Sequence, residues 1–404
     1  MTGVMSGIRI LEVAEQTFVP VAAAVLSDWG ADVIKVEHVE RGDAMRGLVI
    51  TGRQSLERTV HVLLEHSNRG KRSIALDLST PEGQDIIHRL AETADVFLTN
   101  KAPSVRQRLG IDVEDIRARN PQIVYVRGSA WGANGPESDR GGYDMLGFWV
   151  RSSAALSAQE PGANRIPMMP GPAYGDSIGG MNIAGGIAAA LLHRERTGEA
   201  PIVDVSLLGS GVWAMGPAIS LSHQTGQAWA PLEPGGVAHP LSHTYRCADG
   251  RFLTMNSLQA EKYWAEFCSL MGLEDLIDDP RFATQQLMIE NGHEGAARIA
   301  EVFASAPYAE WQEKLSKFSG QWAPVLDTVS ITEDEQVRAN GYLVEQEIDG
   351  GETYMLATAP VQFDGEVPKP ARAPGFNEHG DAILEELGLD WDRIVELKVN
   401  GVVA

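Results

Sequence analysis

Ile8-Arg9-Ile10-Leu11-Glu12-Val13, a helical run from Pro20 to Trp29, and Asp32-Val33-Ile34-Lys35-Val36 follow one another at the start of the chain. Two short runs rich in β-branched residues, on either side of a small-residue helical segment, read as strand, helix, strand. Working outward, Ser73-Ile74-Ala75-Leu76, Asp95-Val96-Phe97-Leu98 and Gln122-Ile123-Val124-Tyr125-Val126 continue the pattern. Ser79-Thr80-Pro81-Glu82 supplies a cap and a first-turn proline, so a helix is expected to about Ala94. Alternation of this kind predicts a mostly parallel sheet covered by helices.

The expected fold class is therefore α/β, with a Rossmann-like large domain. The loop after the first strand, Ala14-Glu15-Gln16-Thr17-Phe18-Val19-Pro20, holds no glycine that would bring backbone against a pyrophosphate. A dinucleotide-dependent dehydrogenase is excluded on that ground. The large domain is expected over residues 1–221 and a turn-rich linker with Pro231, Pro234, Gly235 and Gly236 over 222–238. Thr244-Tyr245-Arg246-Cys247 and Arg251-Phe252-Leu253-Thr254 flank Asp249-Gly250 as a hairpin, which opens a smaller α+β domain over 239–335. Residues 336–404 are read as a return to the large domain.

A length of 404 residues suits two or three cores. The net charge of −22 argues against nucleic acid or an anionic membrane as the main partner. Residues 1–120 carry 15 Lys/Arg against 17 Asp/Glu, so that third is nearly neutral and can host a basic pocket. Cys247 and Cys268 form neither a metal-ligand pattern nor a disulfide framework, which fits a reducing cytoplasm. The start of the chain shows no secretory pattern, and the uncharged runs 177–192 and 205–232 read as buried soluble segments. The ten histidines have no metal spacing, and no metal is expected.

The chemistry points to Gly171-Pro172-Ala173-Tyr174-Gly175-Asp176-Ser177-Ile178-Gly179-Gly180. Asp176 stands among glycines ahead of a small-residue helix pattern. A carboxylate there can attack an activated acyl group, and with an ordinary pKa of about 4 it needs no general base. Two other readings fit the same letters. Gly175-Asp176-Ser177-Ile178-Gly179 can be a serine-hydrolase elbow using Ser177, although the three prolines of residues 167–172 make a poor preceding strand. Asp176 can also be a helix cap.

Several segments in order resemble family III CoA-transferases. They are Gly7-Ile8-Arg9-Ile10-Leu11-Glu12, Gly30-Ala31-Asp32-Val33-Ile34-Lys35-Val36-Glu37, Asn68-Arg69-Gly70-Lys71-Arg72-Ser73-Ile74, Gly175-Asp176-Ser177, Val203-Asp204-Val205-Ser206-Leu207-Leu208 and Tyr245-Arg246-Cys247-Ala248-Asp249-Gly250. The resemblance implies transfer of coenzyme A from an acyl-CoA to a carboxylic acid, with Asp176 as covalent nucleophile. It also implies an interlocked homodimer. Asn100-Lys101-Ala102-Pro103-Ser104 replaces a family Asn-Phe-Arg-Pro-Gly. Lys101 and Arg108 match a CoA-contacting pair of the carnitine-related branch, and Lys71 and Arg72 are further candidates for the nucleotide. Backbone near Gly179-Gly180, or in Gly235-Gly236, is a candidate oxyanion site. The family's racemase branch has Gly-His-Asp where this chain has Gly142-Tyr143-Asp144. A tyrosine is a poor base near neutrality, which favours transfer and leaves Tyr143 either to position substrate or to pack in the core. A catalytically silent CoA binder is the remaining alternative.

Overall fold

Six strands, β1 (Arg9–Val13), β2 (Asp32–His38), β3 (Arg72–Leu76), β4 (Val96–Thr99), β5 (Val124–Ser129) and β6 (Ile202–Ser206), form one sheet in the order 3-2-1-4-5-6. Every neighbouring pair is parallel. The structure is a computed structural model that describes residues 3–56, 58, 60–233, 236–348 and 351–404. The strand order is that of a doubly wound Rossmann sheet, in which the order reverses between β1 and β4. β6 was expected only through the family resemblance. It extends the alternation by one strand beyond a long insertion.

Successive strand residues feed two cores, as the two-residue strand period requires. Ile10, Val33, Leu98, Val124 and Val126 pack on one face, with Phe18, Val19 and Ala22 of helix α1 (Phe18–Asp28) and Ile183, Ala184 and Ile187 of a 24-residue helix, Tyr174–Thr197. Leu11, Ile34, Ile74, Phe97 and Tyr125 pack on the other, against Ile86, Ile87 and Leu90 of helix α2 (Pro81–Glu92) and Ile383, Leu384, Ile394 and Leu397 of two C-terminal helices. Thr80 accepts the Gly83 N–H and Pro81 opens α2, so the cap was readable from four letters.

α1 begins at Phe18, two residues before the expected Pro20. The proline sits in the first turn, where its missing N–H has no intrahelical partner to lose. The long helix, α3 here (Tyr174–Thr197), crosses α1 at very short range. A Cβ on Gly180 would lie 2.2 Å from Val21 Cγ1, and one on Gly179 2.5 Å from the Phe18 ring. These glycines are therefore packing residues. Gly180→Ala gains about 1 kcal/mol of helix propensity but forces the α1 backbone or the stiff Val21 aside, at roughly 1–3 kcal/mol. A net loss of stability is expected, read as a lower denaturation midpoint; an unchanged midpoint would show that the two helices can part freely.

The chain divides into two compact units, Met1–Ala158 with Ile166–Trp229 and Glu335–Ala404, and Gln159–Arg165 with Ala230–Asp334. In the first, the chain's end returns to the sheet: Asp77 N–H donates to Val402 O at 2.9 Å and Ala75 N–H to Asn377 Oδ1 at 2.9 Å. The second holds a three-stranded antiparallel sheet, Ser242–Arg246, Phe252–Asn256 and Trp322–Pro324, with helices around an aromatic core in which Tyr245 stacks on Phe303. Its hairpin turns at Gly250, with φ +84°, as the Asp249-Gly250 pair predicts. Among the described residues no helix is long and apolar enough to cross a membrane.

Candidate active site

The carboxyl ends of β1 and β4 diverge at the point where the strand order reverses, and that crevice is where doubly wound sheets take ligands. A cavity of about 920 Å³ opens there. Its walls include Glu15 and Gln16 after β1, Asn100 and Lys101 after β4, Arg127 at the end of β5, and Asp176 from α3.

The glycine-free loop after β1 solves its turn by a different device. Gln16 has φ +68°, uncommon for a residue with a side chain, and its N–H donates to Asp43 Oδ1 at 2.9 Å. Asp43 Oδ2 in turn meets Lys35 Nζ at 2.7 Å, and Lys35 also bonds Glu12 at 2.9 Å, all three side chains being fully buried or nearly so. Burial opposes the charge on Lys35, but Asp43, Glu12 and Glu37 outweigh it and raise its pKa above the ordinary range.

Asp176 is not the cap of α3. The helix begins at Tyr174 with Ala173 as the N-cap, so Asp176 lies inside the first turn with its side chain free for the cavity. A short π-helical turn, Met145–Val150, packs on this helix end, with Phe148 so close that a Cβ on Gly175 would lie 2.6 Å from it. Asp144, at the head of that turn, accepts the Met145 N–H at 2.8 Å and interacts with the N–H groups of Asp176 and Gly175. Burial, and then the neighbouring Asp144 carboxyl, push the Asp176 pKa up to about 8. The ordinary value of about 4 expected from sequence does not hold here, because the cavity floor removes water from the carboxylate.

Asp144→Asn removes the like charge and should move the acid limb of kcat/KM toward lower pH, by less than the part due to burial. A limb that stays in place would exclude repulsion between the two carboxyls.

Tyr143 lines the cavity and is 66% exposed, so it is available to a ligand rather than packed in the core. Lys101 Nζ meets Glu15 Oε1 at 2.5 Å. Asn100 spends its amide on the backbone of residue 15, donating to Glu15 O at 2.7 Å and accepting from Glu15 N–H at 3.2 Å. It pins together the two loops that flank the switch point. Arg108 lines an adjoining cavity of about 250 Å³, and no ion-pair partner faces it among the described residues.

Four expected site residues lie elsewhere. Lys71 is fully buried, with Nζ bonded to Glu12 Oε2 at 2.7 Å, Pro20 O at 2.9 Å and Asn68 Oδ1 at 3.0 Å, so it cannot reach a nucleotide. Burial pushes its pKa down to about 7. Arg72 is held by Asp32 at 2.7 Å and Glu386 at 2.6 Å at the start of β3, and its side chain does not line the cavity. Gly179 and Gly180 are buried within α3, where their N–H groups serve the helix and their missing Cβ atoms admit α1. Of the alternative loop, Gly235 lies outside the described residues.

Two buried or paired groups were missed. Arg127 and Asp204 are register partners on β5 and β6 and bond bidentately at 2.7 and 2.7 Å on the cavity wall. Asp144 was visible beside Tyr143, but only the fold brings it against the first turn of α3.

Ser177 does not form an elbow. No strand precedes it, and it lies in the helix. Its hydroxyl donates to Ala173 O at 2.8 Å and so accepts from His66 Nε2 at 3.0 Å. Burial, with Arg69 nearby, lowers the His66 pKa to about 4, so the imidazole is neutral. Among the described residues no group of three or more His, Cys, Asp or Glu side chains is arranged to hold a metal ion.

The family model for CoA-transferase family III matches residues 5–380. The chain belongs to that family. It is an enzyme of the CoA-transferase class. Among its relatives, the (R)-2-hydroxy-4-methylpentanoate CoA-transferase of Clostridioides difficile is 28% identical over 400 residues, covering 99% of each chain. The succinate–glutarate CoA-transferase of Agrobacterium fabrum is 30% identical over 403 residues, covering 95% of each. The crystal structure of a CAIB/BAIF family protein from Brucella suis superposes with a TM-score of 0.80 at 27% identity, covering 96% of this chain and 100% of the other.

Proposed function

We propose that this family III enzyme moves CoA from an acyl-CoA thioester to a carboxylic acid acceptor through covalent intermediates on Asp176. The placement of Asp176 carries the reading: it is the carboxyl that α3 presents to the cavity at the switch point, partly stripped of water. A desolvated carboxylate is a stronger nucleophile than a hydrated one, and the first turn of a helix favours the negative charge.

Ionised Asp176 attacks the thioester carbonyl, the C–S bond breaks, and CoA leaves as thiolate with an acyl–aspartyl anhydride behind. The thiolate then attacks the aspartyl carbonyl of the anhydride, which releases the donor carboxylate and leaves an aspartyl–CoA thioester. The acceptor carboxylate attacks that thioester, the C–S bond breaks to release CoA again as thiolate, and a new anhydride with Asp176 forms. The thiolate finally takes the acceptor's acyl carbon and frees the Asp176 carboxylate. No redox partner and no water enters. Lys101 and Arg108 are the cations for the CoA phosphates, with Asn100 holding the loop that carries Lys101. Tyr143 orients the acyl group.

Incubation with acyl-CoA donors, hydroxylamine trapping and mass spectrometry tests this. An adduct on Asp176 is expected. Modification of Ser177 instead would restore the hydrolase, α-hydrogen exchange without CoA transfer would indicate a racemase, and CoA binding with no adduct from any donor a silent binder.

The enzyme is also read as a cytoplasmic homodimer. Helix Gly216–Thr225 buries none of its residues, and the neighbouring helix Leu207–Ala214 leaves Trp213 82% exposed, with Val212, Ile219 and Leu221 also outward. Uncharged helices of this kind call for a second copy. Light scattering should give twice the chain mass.

A further inference from the structure

Two cavities meet at one ion pair. Glu15, Arg41 and Lys101 line both the 920 Å³ cavity that holds Asp176 and the adjoining 250 Å³ cavity that holds Arg108. Glu15 Oε1 takes Lys101 Nζ at 2.5 Å and the Arg41 guanidinium at 3.3 Å. The Glu15 and Lys101 side chains are each only 19% exposed, so solvent screens their attraction incompletely. Asn100 fixes the backbone of residue 15 from both sides, which leaves the carboxylate little freedom to drift away.

A carboxylate held against two cations, in a pocket open on both sides, has the chemistry of a stand-in anion. A phosphate carries more charge and more acceptor oxygens than a carboxylate and competes well for the same donors. We propose that Glu15 is an internal counter-anion that a phosphate of the ligand must displace from Lys101 and Arg41, so that Glu15 sets both the affinity and the phosphate selectivity of the site. This rests on the proposed function, in which Lys101, shared by the two cavities, and Arg108 of the smaller one hold the CoA phosphates. In the free enzyme the ion pair keeps the cations from recruiting other phosphates. In the complex Glu15 is left beside the bound phosphate, and their repulsion weakens CoA binding and speeds product release.

Titration calorimetry with CoA, dephospho-CoA and pantetheine on the wild type, Glu15→Gln, Lys101→Met and the double variant tests the proposal. Glu15→Gln should bind CoA roughly three- to tenfold more tightly, the scale of one partly screened charge pair. In the Lys101→Met background the same change should gain much less, because the cation being freed is absent. Pantetheine, which has no nucleotide phosphate, should show no gain. A gain confined to CoA assigns the displacing group to its 3′-phosphate; a gain shared with dephospho-CoA assigns it to the diphosphate. Weaker or unchanged CoA binding by Glu15→Gln, or an equal gain with pantetheine, overturns the proposal. Failure of every protein to bind CoA overturns the CoA reading itself.

Discussion

Asp176→Ala is expected to lower kcat by roughly three orders of magnitude or more, since the other carboxyls on the cavity wall, Glu15 and Asp204, are held in ion pairs with Lys101 and Arg127. CoA affinity should change little, because Lys101 and Arg108, the proposed phosphate cations, lie outside the helix that carries Asp176. The wild type carries a second signature. With the Asp176 pKa near 8, its kcat/KM should rise as pH increases from 6 and level off above about 8, because only the ionised carboxyl attacks. The same shift acts on folding with a definite sign. The folded state holds the Asp176 proton up to about pH 8, whereas the unfolded chain releases it near 4. Wild-type stability therefore falls as pH rises through that window, and Asp176→Asn avoids the loss. The variant should match the wild type near pH 4 and exceed it by roughly 1–3 kcal/mol above pH 8, a figure reduced for partial solvent access. A kcat/KM that is flat from pH 6 to 9, with no stability gain in the variant, would rule out a strained carboxyl.

Lys35→Met is the second large effect. The change leaves Asp43 and Glu12 buried at the heart of the sheet, with only Lys71 left to Glu12 and no cation for Asp43. Breaking one partner out of a buried pair costs roughly 3–5 kcal/mol. Burial alone would raise the Asp43 pKa, but Lys35 and the Met45 and Gln16 N–H groups bring it below the ordinary value. The Asp43 contribution is thus present above pH 4 and is lost as pH falls through the native pKa. Denaturant unfolding should show a wide gap between variant and wild type at pH 7 that narrows on acidification. The variant should also lose activity even where it is folded, since Asp43 is what holds Gln16 in its left-handed turn at the cavity. A cost under about 1 kcal/mol at pH 7 would mean that the network does not hold the loop.

The parallel sheet was legible because β-branched runs alternate with helix signals, and such patterns depend on neighbours a few residues apart. Lys71 shows where that reading stops. A basic pair before a strand looks like surface or ligand contact, yet one lysine turns inward to Glu12 and the other cation, Arg72, outward to Asp32 and Glu386. The two-residue strand period sends adjacent side chains to opposite faces, and sequence alone does not say which face is filled. Gly179 and Gly180 looked like backbone donors and are instead the gap through which α1 approaches α3.

The sequence by itself determined the alternating α/β order, the absence of a glycine-rich dinucleotide loop and the resemblance to the CoA-transferase family, and it singled out Asp176 as the candidate nucleophile. Only the tertiary structure decided how that aspartate behaves. Its pKa depends on the water it loses and on Asp144, 32 positions away in the chain, and the hold on Lys101 depends on Glu15, which sits 86 positions earlier. Burial and Coulomb attraction act through space, and a linear order of residues carries no distance between them.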